Sequence, residues 1–311
     1  MRILTNSRSL NQPIGPFAVA LGIFDGVHIG HQALLSKTLA LAKAEQIDSL
    51  VYTFNPHPAQ VLMPSVAPKL LESLEGRLEV LERFGVSAAM VERFDCDFAA
   101  ISPESFIDDI LANTLRARHI VVGAGFKFGA GGRGTTELLQ TRGAARGIQT
   151  HVLDPIERDG LIVSSTRIRK LVTQGDMQGV SRLLGRPFTL VGVVERGLMR
   201  GQKLGFPTAN LKANNEMLPS TGVYAGRASG TFGDYATVVN IGYTPTFGDA
   251  KALKIEAHLL DFGPSLLYGQ LMSLQLLAKI RNEQRFSGAD ELKAQIARDI
   301  TAARHIPITM S

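Results

Sequence analysis

With a single cysteine, Cys96, the chain closes no intramolecular disulfide, so packing and polar pairing must hold the fold. A reducing compartment suits that count, and a cytoplasmic location is the expectation. Cys96 lies between Asp95 and Asp97, whose charges disfavour a thiolate, so it is read as inert. No Cys/His spacing fits a structural zinc site. No apolar run reaches about 18 residues, so no membrane-spanning helix is expected. Residues 1–13 lack the apolar core and cleavage pattern of a secretory leader. There is no tryptophan and no run of five basic residues, so the net charge of +5 is spread thinly. That charge suits small polyanions better than nucleic acid, which ranks second, and no nucleic-acid or membrane partner is expected.

What is present begins with Gly22-Ile-Phe-Asp-Gly-Val-His-Ile-Gly-His31. The apolar run Phe17 to Ile23 reads as a buried strand, and a helix is expected from Gln32 to about Gln46. A strand that stops at glycines just before a helix makes an anion site, because the helix start offers unpaired N–H groups and a positive dipole end. Gly22 and Gly26 let the backbone approach a phosphate closely, and Phe24 and Asp25 lie in the same loop. His28 and His31, three residues apart, can reach one ligand from a turn that is becoming helical. Neutral imidazole donates to developing phosphate charge without a permanent charge of its own.

From Phe17 to about Gly185 strand-like and helix-like pieces alternate. Strands are expected at 48–54, 86–91, 119–123 and 148–153, and helices at 73–84, 102–116 and 135–146. Asn55-Pro-His57-Pro ends the second strand with prolines that present Asn55 and His57 in a loop. Gly123 to Gly134, with Gly125, Phe126 and Phe128, is too glycine-rich for regular structure. Ser164, Ser165 and Thr166 start a helix carrying Arg169, which reads as a phosphate site or as a plain cap. Alternation of this kind implies a Rossmann-like, mostly parallel sheet, whose ligands bind beyond the carboxyl ends of the strands.

Beyond Gly185 the pattern changes to short β-rich runs at 188–194, 222–228, 235–241, 253–260 and 271–280, which read as a barrel or sandwich closed by a helix from about 288 to 304. Ile255, Ala257 and Leu259 share one face of the fourth run; Lys254, Glu256 and His258 share the other. Two domains are therefore expected, 1–185 and 186–311. Gly201, Lys203, Gly205, Pro207, Thr208 and Asn210 fall in a polar segment whose amides and cations can wrap polyphosphate. Its Thr hydroxyl and Asn carbonyl are hard ligands suited to Mg²⁺. The same segment reads equally as a polar hairpin loop. Glu256 is a surface carboxylate or, if it lines a barrel mouth, a base for an attacking hydroxyl.

The first motif resembles the HxGH signature of the nucleotidyltransferase superfamily. With Phe54–Pro58, Val122–Gly129, Val163–Arg169, Leu204–Leu211, Asn240–Gly248, Ile255–Phe262 and Arg281–Phe286, in that order over nearly the whole chain, the sequence resembles the bacterial bifunctional riboflavin kinase/FAD synthetase family. The resemblance implies an N-terminal FMN adenylyltransferase domain and a C-terminal riboflavin kinase barrel. It implies ATP as co-substrate, riboflavin, FMN and FAD as substrates and products, Mg²⁺, and a monomer or weak homo-oligomer. Glu256 would be the kinase base, and Thr208 and Asn210 would hold Mg²⁺-ATP. Gly201, Lys203, Gly205, Pro207, Arg281 and Phe286 would bind ATP and flavin. His28 and His31 would stabilise the α-phosphate in adenylyl transfer, with Gly22, Phe24, Asp25, Gly26, Asn55 and His57 around the nucleotide. Ser164, Ser165, Thr166 and Arg169 would hold pyrophosphate, and Gly123, Gly125, Phe126 and Phe128 would sit by nucleotide or flavin. Two positions depart from the family pattern: Gly125, where Asp or Asn is usual, and Gln202, where Arg is usual.

Overall fold

The computed structural model describes residues 1–197, 201, 204–245, 251–263 and 266–307, in two compact units, Met1–Ser164 and Ser165–Ser311. The first unit is organised around a strand with no polar side. Its strands are β1 (Arg2–Thr5), β2 (Phe17–Leu21), β3 (Asp48–Asn55), β4 (Ala88–Arg93), β5 (Ala117–Gly123) and β6 (Gln149–Leu153). They form a six-stranded parallel sheet in the order β1-β4-β3-β2-β5-β6. All of β2 is buried: Phe17, Val19 and Leu21 enter the core on one face and Ala20 the core on the other. A strand covered on both faces reads as a continuous apolar run rather than an alternation.

The covering helices are α1 (Ile29–Glu45), α2 (Pro58–Leu62), α3 (Leu74–Arg83), α4 (Cys96–Ala99), α5 (Pro103–Ser105) and α6 (Thr136–Ala145). Leu34 and Leu35 of α1 and Val80 and Leu81 of α3 pack on the Ala20 face. The opposite face is covered by Phe106, Ile107, Ile110 and Leu111. The expected helix over 102–116 is not one α-helix: α5 gives way to a π-helix, Phe106–Thr114, with wide pairs such as Leu115 N–H to the Ile110 carbonyl at 2.9 Å. β1 was not expected from sequence, since it is four residues long and mostly exposed. A small hairpin, β7 (Glu157–Arg158) and β8 (Leu161–Ile162), ends the unit. The chain runs from β2 to β3 and β4 on one side and returns to β5 on the other, so the crevice beside β2 and β5 is the topological switch point where such sheets bind ligands.

One polar tie joins the π-helix to α6. Asp108 on the π-helix accepts from Arg142 Nε (3.0 Å) and Nη2 (2.7 Å) and from Arg146 Nε (3.0 Å) and Nη2 (2.5 Å), both on or just after α6. Arg142 and Arg146 hydrogen bonds lower its carboxyl to about 2. A depressed carboxyl stabilises the fold above the unfolded value of about 4, and that stabilisation disappears as pH falls through about 2. Asp108→Asn is therefore expected to lower the melting temperature at neutral pH, with the gap from wild type closing on acidification from about pH 4 toward pH 2. Thermal unfolding followed across that range checks it; a pH-independent gap refutes the assignment.

The second unit contains α7 (Ser165–Gln174), α8 (Met177–Leu184), six strands and α9 (Ala289–His305). The strands are β9 (Phe188–Glu195), β10 (Ala209–Ala213), β11 (Gly222–Gly230), β12 (Gly233–Pro245), β13 (Lys251–Leu259) and β14 (Leu271–Arg281). They close as an antiparallel barrel in the order β10-β13-β12-β11-β14-β9, with β9 pairing β10. β10 was read from sequence as loop; it supplies the pairing that leaves no open edge. The units divide ahead of the boundary expected after residue 185, because α8 packs on β14 and β9. Gly175, at φ +79°, also lies so close to Ser220 Oγ and Tyr224 Oη that a Cβ would overlap both.

Candidate functional site

The loop from β2 to α1 is tight and strained. Phe24 (φ 56°) and Val27 (φ 35°) occupy the left-handed region, which is an outlier for bulky and β-branched residues, and both are fully buried. Burial of those two side chains offsets the strain, and polar ties hold the turn. Asp25 is buried and its Oδ1 accepts from Leu71 N–H at 2.9 Å, so it shapes the loop. Gln32 Nε2 donates to the Val27 carbonyl at 2.9 Å. Arg77 of α3, 1% exposed, was not singled out from sequence. Its Nη1 donates to the Ile23 carbonyl (2.9 Å), Thr53 Oγ1 (3.1 Å) and the Phe54 carbonyl (3.3 Å), joining the ends of β2 and β3. An arginine on a charged amphipathic helix gives no sequence signal of being buried.

The histidine pair stands at the start of α1. His28 is the N-cap, and its Nδ1 accepts from His31 N–H at 3.3 Å. In its neutral form His28 therefore carries its proton on Nε2. The two rings stack with centroids 3.7 Å apart at 14°, and Phe24 backs His31 at 5.1 Å. Burial, then the neighbouring His28 and Arg77, push His31 well below the ordinary imidazole range, so it stays neutral. Gly30 permits the stack, since a Cβ there would sit 3.1 Å from His28 Cε1 and Nδ1. With adenylyl transfer at this loop, as the resemblance implies, Gly30→Ala is expected to slow FAD formation from FMN roughly tenfold by displacing the ring. Alanine is the better helix former, so thermal stability is expected to hold or rise. Rate and melting temperature measured together check this; equal losses in both refute it.

The other N-terminal candidates divide. Asn55 is exposed at the end of β3. His57 caps α2, its Nδ1 accepting from Ala59 N–H (3.0 Å) and its own N–H donating to Gln60 Oε1 (3.0 Å). A Cβ on Gly22 would press against the Phe24 ring at 3.1 Å, whereas Gly123 and Gly125 face open space. Phe128 is buried in the core and stacks on Phe126, with centroids 5.8 Å apart. Ser164 closes the first unit, while Ser165, Thr166 and Arg169 lie at the start of α7 in the second.

In the barrel a cavity of about 330 Å³ is lined by Gly201, Thr208, Glu256, Arg281 and Phe286 among the residues chosen from sequence. Asn240, Lys254, His258, Glu283 and Asp299 line it as well and were not assigned roles there. Register explains the convergence: Asn210 on β10 and Asn240 on β12 both pair with Glu256 on β13, and Asn240 pairs with Val223, which pairs with Arg281. Directly opposed residues share a face, so a row of polar side chains, interrupted by Val223, runs across the strands. Asn210 also packs on Gly197, where a Cβ would overlap its carboxamide. Gly205 (φ 90°) and Pro207 are exposed in the loop before β10. Lys203, and Gln202 beside it, lie outside the described residues.

Arg281 is held from α9. Its Nε donates to Asp299 Oδ1 (2.9 Å) and Oδ2 (3.1 Å) and its Nη2 to Oδ2 (2.8 Å), while Gln295 Nε2 donates to Oδ1 (2.8 Å). Its guanidinium lies 5.8 Å from the Phe286 ring centre. The helical spacing of Leu292, Ile296 and Ile300 predicted packing on the barrel; Leu292 and Ile296 line the cavity and Ile300 joins the core with Val223 and Val238.

Residues 11–167 match the FAD synthetase family model and residues 184–307 the riboflavin kinase model. A bifunctional riboflavin kinase/FMN adenylyltransferase of Escherichia coli K12 is 37% identical over 307 residues, covering 98% of this chain and 97% of that protein. The protein of the same name from Bacillus subtilis 168 is 37% identical over 285 residues, covering 90% and 89%. A crystal structure titled as a macrolide-efflux protein from Streptococcus pneumoniae superposes with a TM-score of 0.87 at 27% identity, covering 98% of this chain and 99% of that one. No helix among the described residues is long and apolar enough to cross a membrane. The chain belongs to the bifunctional riboflavin kinase/FMN adenylyltransferase family, and it makes FMN from riboflavin and ATP and then FAD from FMN and ATP.

Proposed function

We propose that the barrel cavity carries out the kinase reaction and the β2–α1 loop the adenylyl transfer, dividing the chain into functional domains near 1–185 and 186–311. The observation that carries the kinase half is that Thr208 and Glu256 line one cavity, with Asn210 paired to Glu256 in the strand register. Glu256 takes the proton of the riboflavin 5′-hydroxyl as its oxygen attacks the γ-phosphorus of ATP and ADP leaves. Arg281 and Phe286 bind the flavin end, and Gly201, Lys203, Gly205 and Pro207 the nucleotide.

The donor set fits Mg²⁺. A threonine hydroxyl and an asparagine carbonyl are hard oxygens, and the described residues contain no cluster of three or more His, Cys, Asp or Glu that forms a cage of its own. Mg²⁺ is commonly held by few protein ligands together with substrate phosphates. Thr208 and Asn210 would hold it; when bound it neutralises phosphate charge.

In the first unit an FMN phosphate oxygen attacks the α-phosphorus of a second ATP and pyrophosphate leaves. His28 and His31 donate neutral N–H bonds to the charge that grows there. Gly22, Phe24, Asp25 and Gly26 shape the phosphate loop, and Asn55 and His57 flank it. Gly123, Gly125, Phe126 and Phe128 border nucleotide or flavin. Ser164, Ser165 and Thr166, which fall within the FAD synthetase match to residue 167, and Arg169, just past it, are assigned to pyrophosphate. The cytoplasm, small-molecule partners alone, and a monomer or weak homo-oligomer complete the reading, supported by a single cysteine and scattered charge.

A chromatographic time course with riboflavin and ATP tests the scheme. With Mg²⁺, riboflavin is expected to fall, FMN to rise and FAD to follow. After chelation of divalent cations neither product is expected, and FMN formation at an undiminished rate there refutes the metal assignment.

A further inference from the structure

We propose that His258 is a positioning residue for the kinase reaction: it holds the Pro207 carbonyl and thereby fixes Thr208 at the cavity. The proposal rests on the reading of Thr208 as an Mg²⁺-ATP ligand given above. His258 Nδ1 lies 2.7 Å from the Pro207 carbonyl oxygen. A carbonyl only accepts, so Nδ1 carries the proton and the tautomer is set. The His258 ring also meets Phe206 edge-on, with centroids 5.7 Å apart at 85°. The two residues immediately before Thr208 are thus both held by one side chain of β13.

The anchor lies on a paired strand, and the loop it holds is partly exposed. Pro207 is exposed, and Gly205 at φ 90° has nothing within 4 Å of where a Cβ would stand. His258, by contrast, sits on a paired strand opposite Val238, and its carbonyl accepts from Thr237 Oγ1 at 2.9 Å. Thr237 is fully buried. His258 is two residues from Glu256 on the same strand face, and both line the cavity. One rigid strand therefore carries the base and also holds the loop that brings Thr208 to it. A ligand residue held in this way acts in the ground state and the transition state alike, so its loss shows mainly in KM.

The test is steady-state FMN formation by the full chain as a function of ATP concentration, with FAD formation from supplied FMN and the melting temperature as controls. His258→Ala is expected to raise KM for ATP about tenfold, the size of one lost neutral hydrogen bond, with a smaller change in kcat. His258→Asn places an amide N–H near the lost Nδ1 and is expected to recover most of the affinity. His258→Gln extends its amide toward the Nε2 position and is expected not to. Both controls stay at wild type. Wild-type KM in His258→Ala overturns the proposal, as do equal behaviour of the Asn and Gln variants and losses that follow melting temperature. Thr208→Ala separates the two levels. If it raises KM while His258→Ala does not, only the positioning role falls; if neither raises KM, the reading of Thr208 falls too.

Discussion

Glu256→Ala is expected to lower FMN formation by about 10²–10⁴-fold while FAD formation from supplied FMN continues at the wild-type rate. A primary hydroxyl is a poor nucleophile until its proton has somewhere to go; Glu256 lines the cavity flanked in register by Asn210 and Asn240, whereas Asp299, which also lines it, is engaged by Arg281. Neither asparagine can take that proton. Removing the side chain also opens space, so Glu256→Gln is the cleaner variant: it keeps the volume and the neighbours and loses only the base. Both variants are expected to bind ATP and riboflavin with little change and to fail in kcat. Retention of full kinase rate by Glu256→Gln refutes the base assignment. Loss of FAD formation from supplied FMN in either variant refutes the division of the reactions between the two sites.

How much of this was legible in the sequence depended on whether a residue's neighbours were local. The β2 strand, the histidine pair and the helix after it were readable because apolar run, glycines and helix lie within one short segment, although α1 begins at Ile29 rather than at the expected Gln32, since His28 caps it. Glu256 and Asn210 were readable as chemistry but not as neighbours: their pairing is a register between β13 and β10, and β10 itself was read as loop. Arg77 illustrates the harder case. It lies on a helix with mixed polar composition, and only the fold places its guanidinium under the ends of β2 and β3. Asp25 is the converse, a phosphate-loop carboxylate by motif that the fold spends on the Leu71 amide. Phe128 likewise stands in a glycine-rich loop yet packs into the core. The π-helix at Phe106–Thr114 left no mark, because Phe106, Ile107, Ile110 and Leu111 repeat with the spacing of an ordinary amphipathic helix.

Replacing His28 and His31 together by alanine is expected to reduce FAD formation from FMN by roughly 10³-fold or more while FMN formation is unchanged. The reaction has no covalent step for a side chain to perform, so its rate rests on position and on donors aimed at growing phosphate charge. The stacked pair offers donors that are preorganised: His28 is fixed by the amide it caps, and His31 by burial against Phe24. The neutrality of His31 sets the pH dependence. The folded His31 pKa is lowered, while the unfolded chain takes up a proton at about 6.5. The folded state therefore loses stability as pH falls from about 6.5 toward the lower folded value, and FAD formation shows no break near pH 6.5 from His31 itself. A rate profile from about pH 5 to 9, set beside an NMR titration of the imidazoles, measures both. A break in FAD formation that follows an ordinary His31 titration refutes the neutral-donor role, and an undiminished rate in the double variant removes the pair from the reaction. If single substitutions each cost nearly as much as the double, the stack works as one unit, which is what a cap that orients its own partner requires.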